Sequence, residues 1–170
     1  MASDPSPPRR PGLLRSATST VRRWLVGRSA ARTTAAPSGY PGDFTGRLVP
    51  AYDPHPDGRP DPGEIVWTWV PYEEDHAQGK DRPVLLVGRD GPWLLGLQLT
   101  SKDHDGRGAF DDGRRWVDIG AGDWDRQRRP SEVRVDRVIR VDSAAVRREG
   151  SVLPRRQFDD VARAVADVHR

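Results

Sequence analysis

The segment GEIVWTWVPYEEDHAQGKDRPVLLVGRDGPWLLGLQLTS, which spans Gly63–Ser101, contains the strongest secondary-structure signals in the chain. Within Glu64–Val70, the side chains of Ile65, Trp67 and Trp69 alternate with those of Val66, Thr68 and Val70. This alternation is the two-residue period of a β-strand. Two further apolar runs, from Arg82 or Pro83 to Val87 and over Trp93–Leu99, are short and bounded by Gly, Pro and Asp, so strands are favoured there over helices. The Asp-Gly pair between them tolerates positive φ and predicts a hairpin.

The chain after this segment predicts more strands and a terminal helix. Short strands are expected at Arg115–Ile119 and, bent or interrupted, over residues 133–141. A short helix is expected after Asp142 or Ser143, with Gly150 as its C-cap. Pro154 suits the first turn of the last helix. That helix has one apolar stripe, formed by Phe158, Val161, Ala162, Val165 and Val168.

The chain before this segment has a different composition. Residues 1–62 are rich in Pro and Gly, and we expect a basic, largely disordered N-terminal extension. Within it, Leu13–Val26 is a weak amphipathic segment, for which contact with an anionic membrane surface or a nucleic acid is the alternative to disorder. We therefore expect a packed domain over residues 63–170.

Charge and cysteine content narrow the classes of protein. The net charge is +3, but residues 1–40 carry seven arginines and one aspartate, so the remainder carries −3. The basic character is thus a property of the extension and does not by itself indicate nucleic-acid binding. The absence of cysteine excludes disulfides, thiolate zinc sites and cysteine nucleophiles. No apolar stretch approaches the roughly 18–20 residues that cross a bilayer, and a cytoplasmic location is expected.

Four pieces of sequence, taken in order, resemble the PemK/MazF family of bacterial toxins, which are endoribonucleases of toxin–antitoxin systems. The resemblance extends from about Gly63 to Val168. Its motifs are Gly-Glu-Ile-Val-Trp at 63–67, Gln-Gly-Lys-Asp-Arg-Pro-Val-Leu at 78–85, Leu-Thr-Ser at 99–101 and Ser-Glu-Val-Arg-Val-Asp-Arg-Val at 131–138. No single motif is specific, whereas their order and spacing together are.

The resemblance implies a fold, an activity and partners. The fold is a mainly β, SH3-like, partly open barrel with a C-terminal helix. The activity is metal-independent and cofactor-free cleavage of single-stranded RNA (mRNA) by a homodimer, and a cognate antitoxin protein neutralises it. The arginine of the Arg-Pro signature and the threonine of the Thr-Ser pair, Arg82 and Thr100, are the catalytic candidates that it implies.

The chemistry of phosphodiester cleavage assigns roles to these candidates. A guanidinium matches two phosphate oxygens and stays charged, so Arg82 would stabilise the transition state, and Thr100 would hold the phosphate. The base is left open among Glu73, Glu74 and His104; histidine titrates nearest neutrality. Further candidate RNA-binding residues are Lys80, Ser101 and Lys102 and, as stacking or loop contacts, Tyr72 and His76.

Two alternatives remain at this point. On residue type alone, Arg82 could pair with a carboxylate at a strand end, and Thr100 could be an ordinary β-branched strand residue. The acidic run Glu73–Asp75 lies in the loop beside the expected RNA site, where it would repel phosphate, supply the base or fold away. The alternative function is therefore a catalytically inactive PemK/MazF-like barrel that binds RNA or a protein.

Overall fold

A computed structural model describes residues 34–35, 39–101, 110–111 and 113–169 of the 170-residue chain. Its described part is mainly β, with an α-helix at the C-terminal end, as predicted. The strands and the helix, in chain order, are β1 (Thr34–Ala35), β2 (Glu64–Pro71), β3 (Gln78–Asp90), β4 (Trp93–Thr100), β5 (Phe110–Asp111), β6 (Arg114–Gly120), β7 (Ser131–Arg134), β8 (Ile139–Val141), β9 (Arg148–Val152) and α1 (Arg155–Val168).

The strands form one curled sheet in the order β5-β6-β7-β4-β3-β2-β9. Two strands join it from the side, β1 against β3 and β8 against β4. All recorded pairs are antiparallel. Since β5 and β9 lie at opposite ends of this order, the described sheet is a partly open barrel, which confirms the expected fold class.

The hairpin between β3 and β4 is present where the Asp-Gly pair predicts it. Asp90 pairs with Trp93, so Gly91 and Pro92 form a two-residue loop. Gly91 has a φ of 57°, a value that a residue with a side chain reaches only at a cost and that tight hairpin turns require. The turn therefore fixes the register of β3 against β4 as far as Gly88 and Leu95, beyond which a bulge shifts it by one residue.

Apolar side chains on the two faces of the sheet form two separate cores. The larger core joins β2, β3 and β4 to the helix through Ile65, Leu85 and Leu97. The smaller core lies on the alternate residues of the same strands and also includes β8; its members are Val66, Val70, Val84, Leu86, Leu94, Ile139 and Val141. Burial on both faces explains why β2 and β4 are apolar at nearly every position.

Helix α1 covers the larger core with the predicted stripe. Phe158, Val161 and Val165 are buried, and Ala162 and Val168 are partly buried against the same cluster. The side-chain amide of Gln157 donates to the carbonyl oxygen of Ile119 at 3.0 Å. The periodicity of the sequence was therefore sufficient to place this helix and its buried face.

Residues 39–53, which we call the strap, lie against the sheet before β2 begins. Leu48 is 6% exposed and belongs to the larger core. The amides of Phe44 and Ala51 donate to the carbonyl oxygens of Val138 and Val87, each at 2.8 Å. The division of the chain at residue 63 stays a prediction, and the amphipathic segment at 13–26 lies outside the described residues.

Two sequence-based expectations were wrong, and one open alternative was decided. Strand β3 begins at Gln78, so Arg82 lies inside the strand and not at its start. Of the bent or interrupted strand expected at 133–141, the structure has the interrupted form, β7 and β8; between them the Asp136 carboxylate accepts from the Arg115 amide at 2.9 Å. Gly150 lies within β9 and is not a helix C-cap, because only a 3₁₀ turn, Ser143–Ala145, precedes it.

In the part of the chain that the structure describes, no helix is long and apolar enough to cross a membrane.

The strap provides a test of its own contribution to the core. We expect Leu48→Ala to lower the free energy of unfolding by about 2–5 kcal/mol, because it removes a buried side chain and leaves a cavity. Its neighbour Val49 is 72% exposed, so Val49→Ala is a matched control that should change stability by less than about 0.5 kcal/mol. Denaturant unfolding of the full chain measures both. Equal effects would show that the strap does not contribute to the core.

Candidate functional site

The regular pairing of the β3–β4 hairpin ends before the candidate site residues. The β3–β4 ladder pairs as far as Val84 with Gln98, and the strand ends beyond this pair flank a cavity of about 250 Å³. We call this cavity the cleft. Four sequence-predicted site residues line it, namely Lys80, Arg82, Thr100 and Ser101. The fold thus brings together two motifs that are separated by 18 positions between Arg82 and Thr100.

The two catalytic candidates are held in place by pairing with neighbouring strands. Arg82 pairs across the sheet with Thr68 of β2, and Thr100 pairs with Glu132 of β7. Each backbone is therefore fixed by pairing with a second strand. Such support on regular strands keeps a site in one geometry.

Arg82 is a partly buried cation without a counterion. Burial lowers its pKa below the ordinary arginine value; a favourable interaction with Tyr72 opposes this, and the nearby Arg137 adds to it. Among the residues that the structure describes, no carboxylate forms an ion pair with Arg82. A bound anion would restore to such a guanidinium the favourable interactions that burial removes.

Two other arginines near the cleft are fully paired. Arg134 is 4% exposed and binds Glu73 at 2.7 and 2.9 Å and Asp136 at 2.6 Å. Arg137 binds Asp43 of the strap at 2.7 and 3.2 Å and donates to the carbonyl oxygen of Pro71 at 2.9 Å. Arg82 therefore differs from these two neighbouring arginines in lacking a carboxylate partner among the described residues.

Glu73 is held as an anion by Arg134. Hydrogen bonds from Arg134 lower the pKa of Glu73 to about 2, against the opposing effect of burial. Arg114 adds a longer contact at 3.4 Å. A carboxylate with such a pKa is a weak base at neutral pH. The acidic loop between β2 and β3 is thus anchored to β7 through this residue.

The remaining candidates are distributed on both sides of this loop. The Lys80 ammonium lies 5.8 Å from the ring centroid of Tyr72. The ring of His76 packs edge-on against Tyr40 of the strap at 5.3 Å, and its Nε2 lies 3.9 Å from Asp43. Neither aromatic residue of the loop lines the cleft. Glu74 is exposed, and both Lys102 and His104 lie outside the described residues.

Sequence reasoning missed several polar residues of the site. Arg134, Arg137 and Asp81 were noted only as parts of motifs, and Arg129, which lines the cleft with Asp81, was not considered. Alternation of valine with charged residues in Val-Arg-Val-Asp-Arg at 133–137 was the available signal, because it indicates a strand with one polar face. Nothing in the sequence near Asp81 or Arg129 indicates that both residues line the same cavity.

Comparison with known proteins gives one family match and several similar folds. A family model described as PemK-like, MazF-like toxin of type II toxin–antitoxin system matches residues 61–169. Among solved structures, Mycobacterium tuberculosis toxin MazF-mt6 is 20% identical, with 62% of this chain and 94% of that chain covered and a TM-score of 0.42. The MazE–MazF structure from Deinococcus radiodurans is 18% identical, with 66% and 96% covered and a TM-score of 0.47. No curated protein sequence matches the chain.

The ion pair of Glu73 should make stability depend on pH. Its pKa is about 2 in the folded protein and 4.5 ordinarily, so its ionised form stabilises the fold above about pH 4.5, and this contribution is lost as the pH falls towards 2. Glu73→Gln should therefore be less stable than the wild type at pH 7, and the difference should shrink between pH 4.5 and 2. Urea unfolding across this range measures it.

Glu74→Gln is the matched control for this experiment, since Glu74 is the exposed neighbour in the same loop. Its unfolding curve should follow that of the wild type at each pH. A Glu73→Gln difference that persists unchanged at pH 2 would contradict the ion-pair explanation.

Proposed function

The chain belongs to the PemK-like, MazF-like toxins of type II toxin–antitoxin systems, and on this premise we propose that it is a metal-independent endoribonuclease that cleaves single-stranded RNA at the cleft. It acts in the cytoplasm as a homodimer, and a cognate antitoxin neutralises it. The site consists of Arg82 and Thr100, with Lys80 and Ser101 as further phosphate or ribose contacts.

The observation that carries this proposal is the unpaired, partly buried guanidinium of Arg82 in a cavity that Thr100 also lines. An RNA phosphate supplies two negatively charged oxygens in the plane that a guanidinium recognises. The neighbouring Arg134 and Arg137 have carboxylate partners, so they do not compete for that phosphate. The unpaired guanidinium of Arg82 therefore matches a phosphodiester in charge.

The reaction that fits these groups is a transesterification within the RNA, in which the phosphoryl group passes from the 5′-oxygen to the 2′-oxygen. The ribose 2′-oxygen attacks the adjacent phosphorus and loses its proton, the bond from phosphorus to the 5′-oxygen breaks, and that oxygen gains a proton. The products are a 2′,3′-cyclic phosphate and a 5′-hydroxyl. Arg82 stabilises the extra negative charge on the phosphate oxygens in the transition state and is a candidate donor to the leaving oxygen. The Thr100 hydroxyl orients the phosphate.

The ion pair between Glu73 and Arg134 narrows the set of candidates for the general base. Glu73 has a pKa of about 2 and is poorly matched to removing a proton at neutral pH. Its role in the proposal is to hold Arg134 and the loop beside the cleft. Glu74 and His104 stay candidates for the base, and His104 has the ordinary pKa closest to neutrality.

The unpaired guanidinium of Arg82 also gives a physical basis for inhibition by an antitoxin. A carboxylate on an antitoxin segment would pair with Arg82 as a phosphate does and would exclude RNA from the cleft. Inhibition by occupation of the cleft requires that antitoxin and RNA compete for one site. Homodimer formation is a separate part of the proposal. A measurement of the mass of the purified chain in solution tests it.

Substitution of Arg82 tests the nuclease directly. We expect the full chain to cleave single-stranded RNA in the presence of EDTA and Arg82→Ala to lower the rate about 10²–10³-fold, as loss of a transition-state donor does. Arg82→Lys keeps the charge but not the planar pair of donors, so most of the loss should remain. Product formation on a labelled RNA is the measurement.

Arg89→Ala is the control, because Arg89 is an exposed arginine that pairs with Asp61 at 2.6 Å away from the cleft. It should cleave at the wild-type rate. Equal cleavage by the wild type and Arg82→Ala would show that the activity comes from another site or from a contaminant.

The alternative is a binding module without nuclease activity. The low pKa of Glu73 favours it, since it removes one of the candidate bases from use. This alternative predicts that the wild type binds single-stranded RNA without cleaving it and that Arg82→Ala weakens this binding.

A further inference from the structure

A second cavity, of about 610 Å³, adjoins the cleft. The two cavities share four lining residues, Trp67, Asp81, Asp125 and Arg129. Arg126, Gln127 and Arg147 line only the larger one. We call the larger cavity the side groove. Because the walls are shared, a chain bound at the cleft has a continuous path into the side groove.

We propose that the side groove holds the nucleotide next to the scissile phosphate and that Asp81 selects its base. The proposal rests on the proposed function, because it takes single-stranded RNA as the molecule in the cleft. It adds a binding site for a base and a residue that determines sequence preference.

Asp81 has one carboxylate oxygen that lacks a partner. Its Oδ2 accepts from Nη1 of Arg147 at 2.7 Å. Its Oδ1 is buried and accepts no hydrogen bond from any described residue. A buried acceptor without a donor is unfavourable, and a ligand that brings a donor removes the penalty. Asp81 lines both cavities, so a base that binds there and displaces the atoms covering Oδ1 would supply the missing donor.

The chemistry of one free carboxylate oxygen favours some bases over others. Cytosine, adenine and guanine each carry an amino group that donates to such an oxygen. Uracil has only its ring N–H as a donor, and the two carbonyl oxygens beside that N–H are repelled by a carboxylate. Asp81 should therefore select a base with an amino group against uracil.

Trp67 provides a surface on which that base can stack. The tryptophan is partly exposed and lines both cavities. Its Nε1 donates to the carbonyl oxygen of Trp124 at 3.1 Å, which fixes the orientation of the indole ring. A fixed aromatic ring beside a cationic groove is the usual arrangement for binding unpaired bases.

Arg126 supplies a free cation at the far end of the path. Arg129 pairs with Asp125 at 2.6 Å and Arg147 with Asp81 at 2.7 Å. Arg126 is exposed, and no described carboxylate forms an ion pair with it. An unpaired arginine is available to a backbone phosphate, and such contacts add affinity without reading sequence.

The groove is less suited to an acidic antitoxin segment than to RNA. The free oxygen of Asp81 needs a donor, which an acidic side chain at neutral pH lacks, and the Asp125 carboxylate already accepts from Arg129. A nucleotide places its charge at the phosphate and presents neutral donors at the base, so it can satisfy Arg126 and Asp81 together. Charge pattern therefore favours the nucleotide.

Binding of uncleavable oligonucleotides to the full chain tests the proposal. The probes are 2′-deoxy nonamers that carry only cytosine or only uracil bases, because without the 2′-hydroxyl neither can be cut. Fluorescence anisotropy should show that the wild type prefers the cytosine probe by about tenfold, the effect of one hydrogen bond to a charged group. Asp81→Asn should lose this preference, because an amide can also donate to the uracil carbonyl.

Two matched controls accompany these variants. Asp123→Asn changes an exposed aspartate that pairs with Arg128 outside the side groove and should keep the wild-type preference. Arg126→Ala should weaken both probes several-fold and reduce the slope of affinity against salt by about one. Arg128→Ala, at the neighbouring exposed arginine outside the groove, should leave the affinity for both probes near the wild-type value.

The outcomes separate this inference from the proposed nuclease. Loss of preference in Asp81→Asn supports the inference even if the wild type does not cleave RNA. An unchanged preference in Asp81→Asn overturns it, even if Arg82→Ala abolishes cleavage. If poly-glutamate displaces the probes and binds Asp81→Asn more tightly than the wild type, the groove holds an acidic peptide and the inference is wrong.

Discussion

Burial of guanidinium groups is the constraint on which the polar side of this protein depends. Arg134 and Arg137 are almost fully buried, and a cation removed from water is tolerated only with hydrogen-bonded anions around it. Both have them, from Glu73, Asp136 and Asp43. These pairs neutralise the charge around the cleft and leave Arg82 as a partly buried cation that a ligand can pair with.

The paired arginines also connect parts of the chain that are distant in sequence. Arg137 joins Asp43 of the strap to the carbonyl oxygen of Pro71 at the end of β2. Arg134 joins the loop that follows Pro71 to β7 through Glu73. The strap lies outside the range that matches the family, yet it is bonded to the residue that supports this loop. The geometry beside the cleft therefore depends both on residues inside the family match and on residues outside it.

The cleft itself follows from how β4 changes partners. The start of β4 pairs with β8, and its end pairs with β7, while the recorded β3 ladder stops at Val84 and Gln98. The ends of β3 and β4 are held by different neighbours, β2 on one side and β7 on the other. A cavity between two diverging but well-supported strand ends gives rigid walls. It also exposes residues of both strand ends, including Asp81, to a bound chain.

The strands β2, β3 and β4 and the terminal helix could be predicted from local patterns, because alternation over 64–70, the turn at Gly91 and the stripe of α1 each reflect the period or backbone conformation of a single element. The resemblance of four short motifs then selected Arg82 and Thr100 as candidates. The boundaries of β3 and β7 could not be predicted, since polar residues such as Gln78 extend a strand only when a partner strand satisfies their backbone groups. The ion pairs of Arg134 and Arg137, the absence of one at Arg82 and the free oxygen of Asp81 depend on contacts between residues up to 94 positions apart. These properties come from the tertiary structure alone, because burial and charge pairing are set by which strands become neighbours.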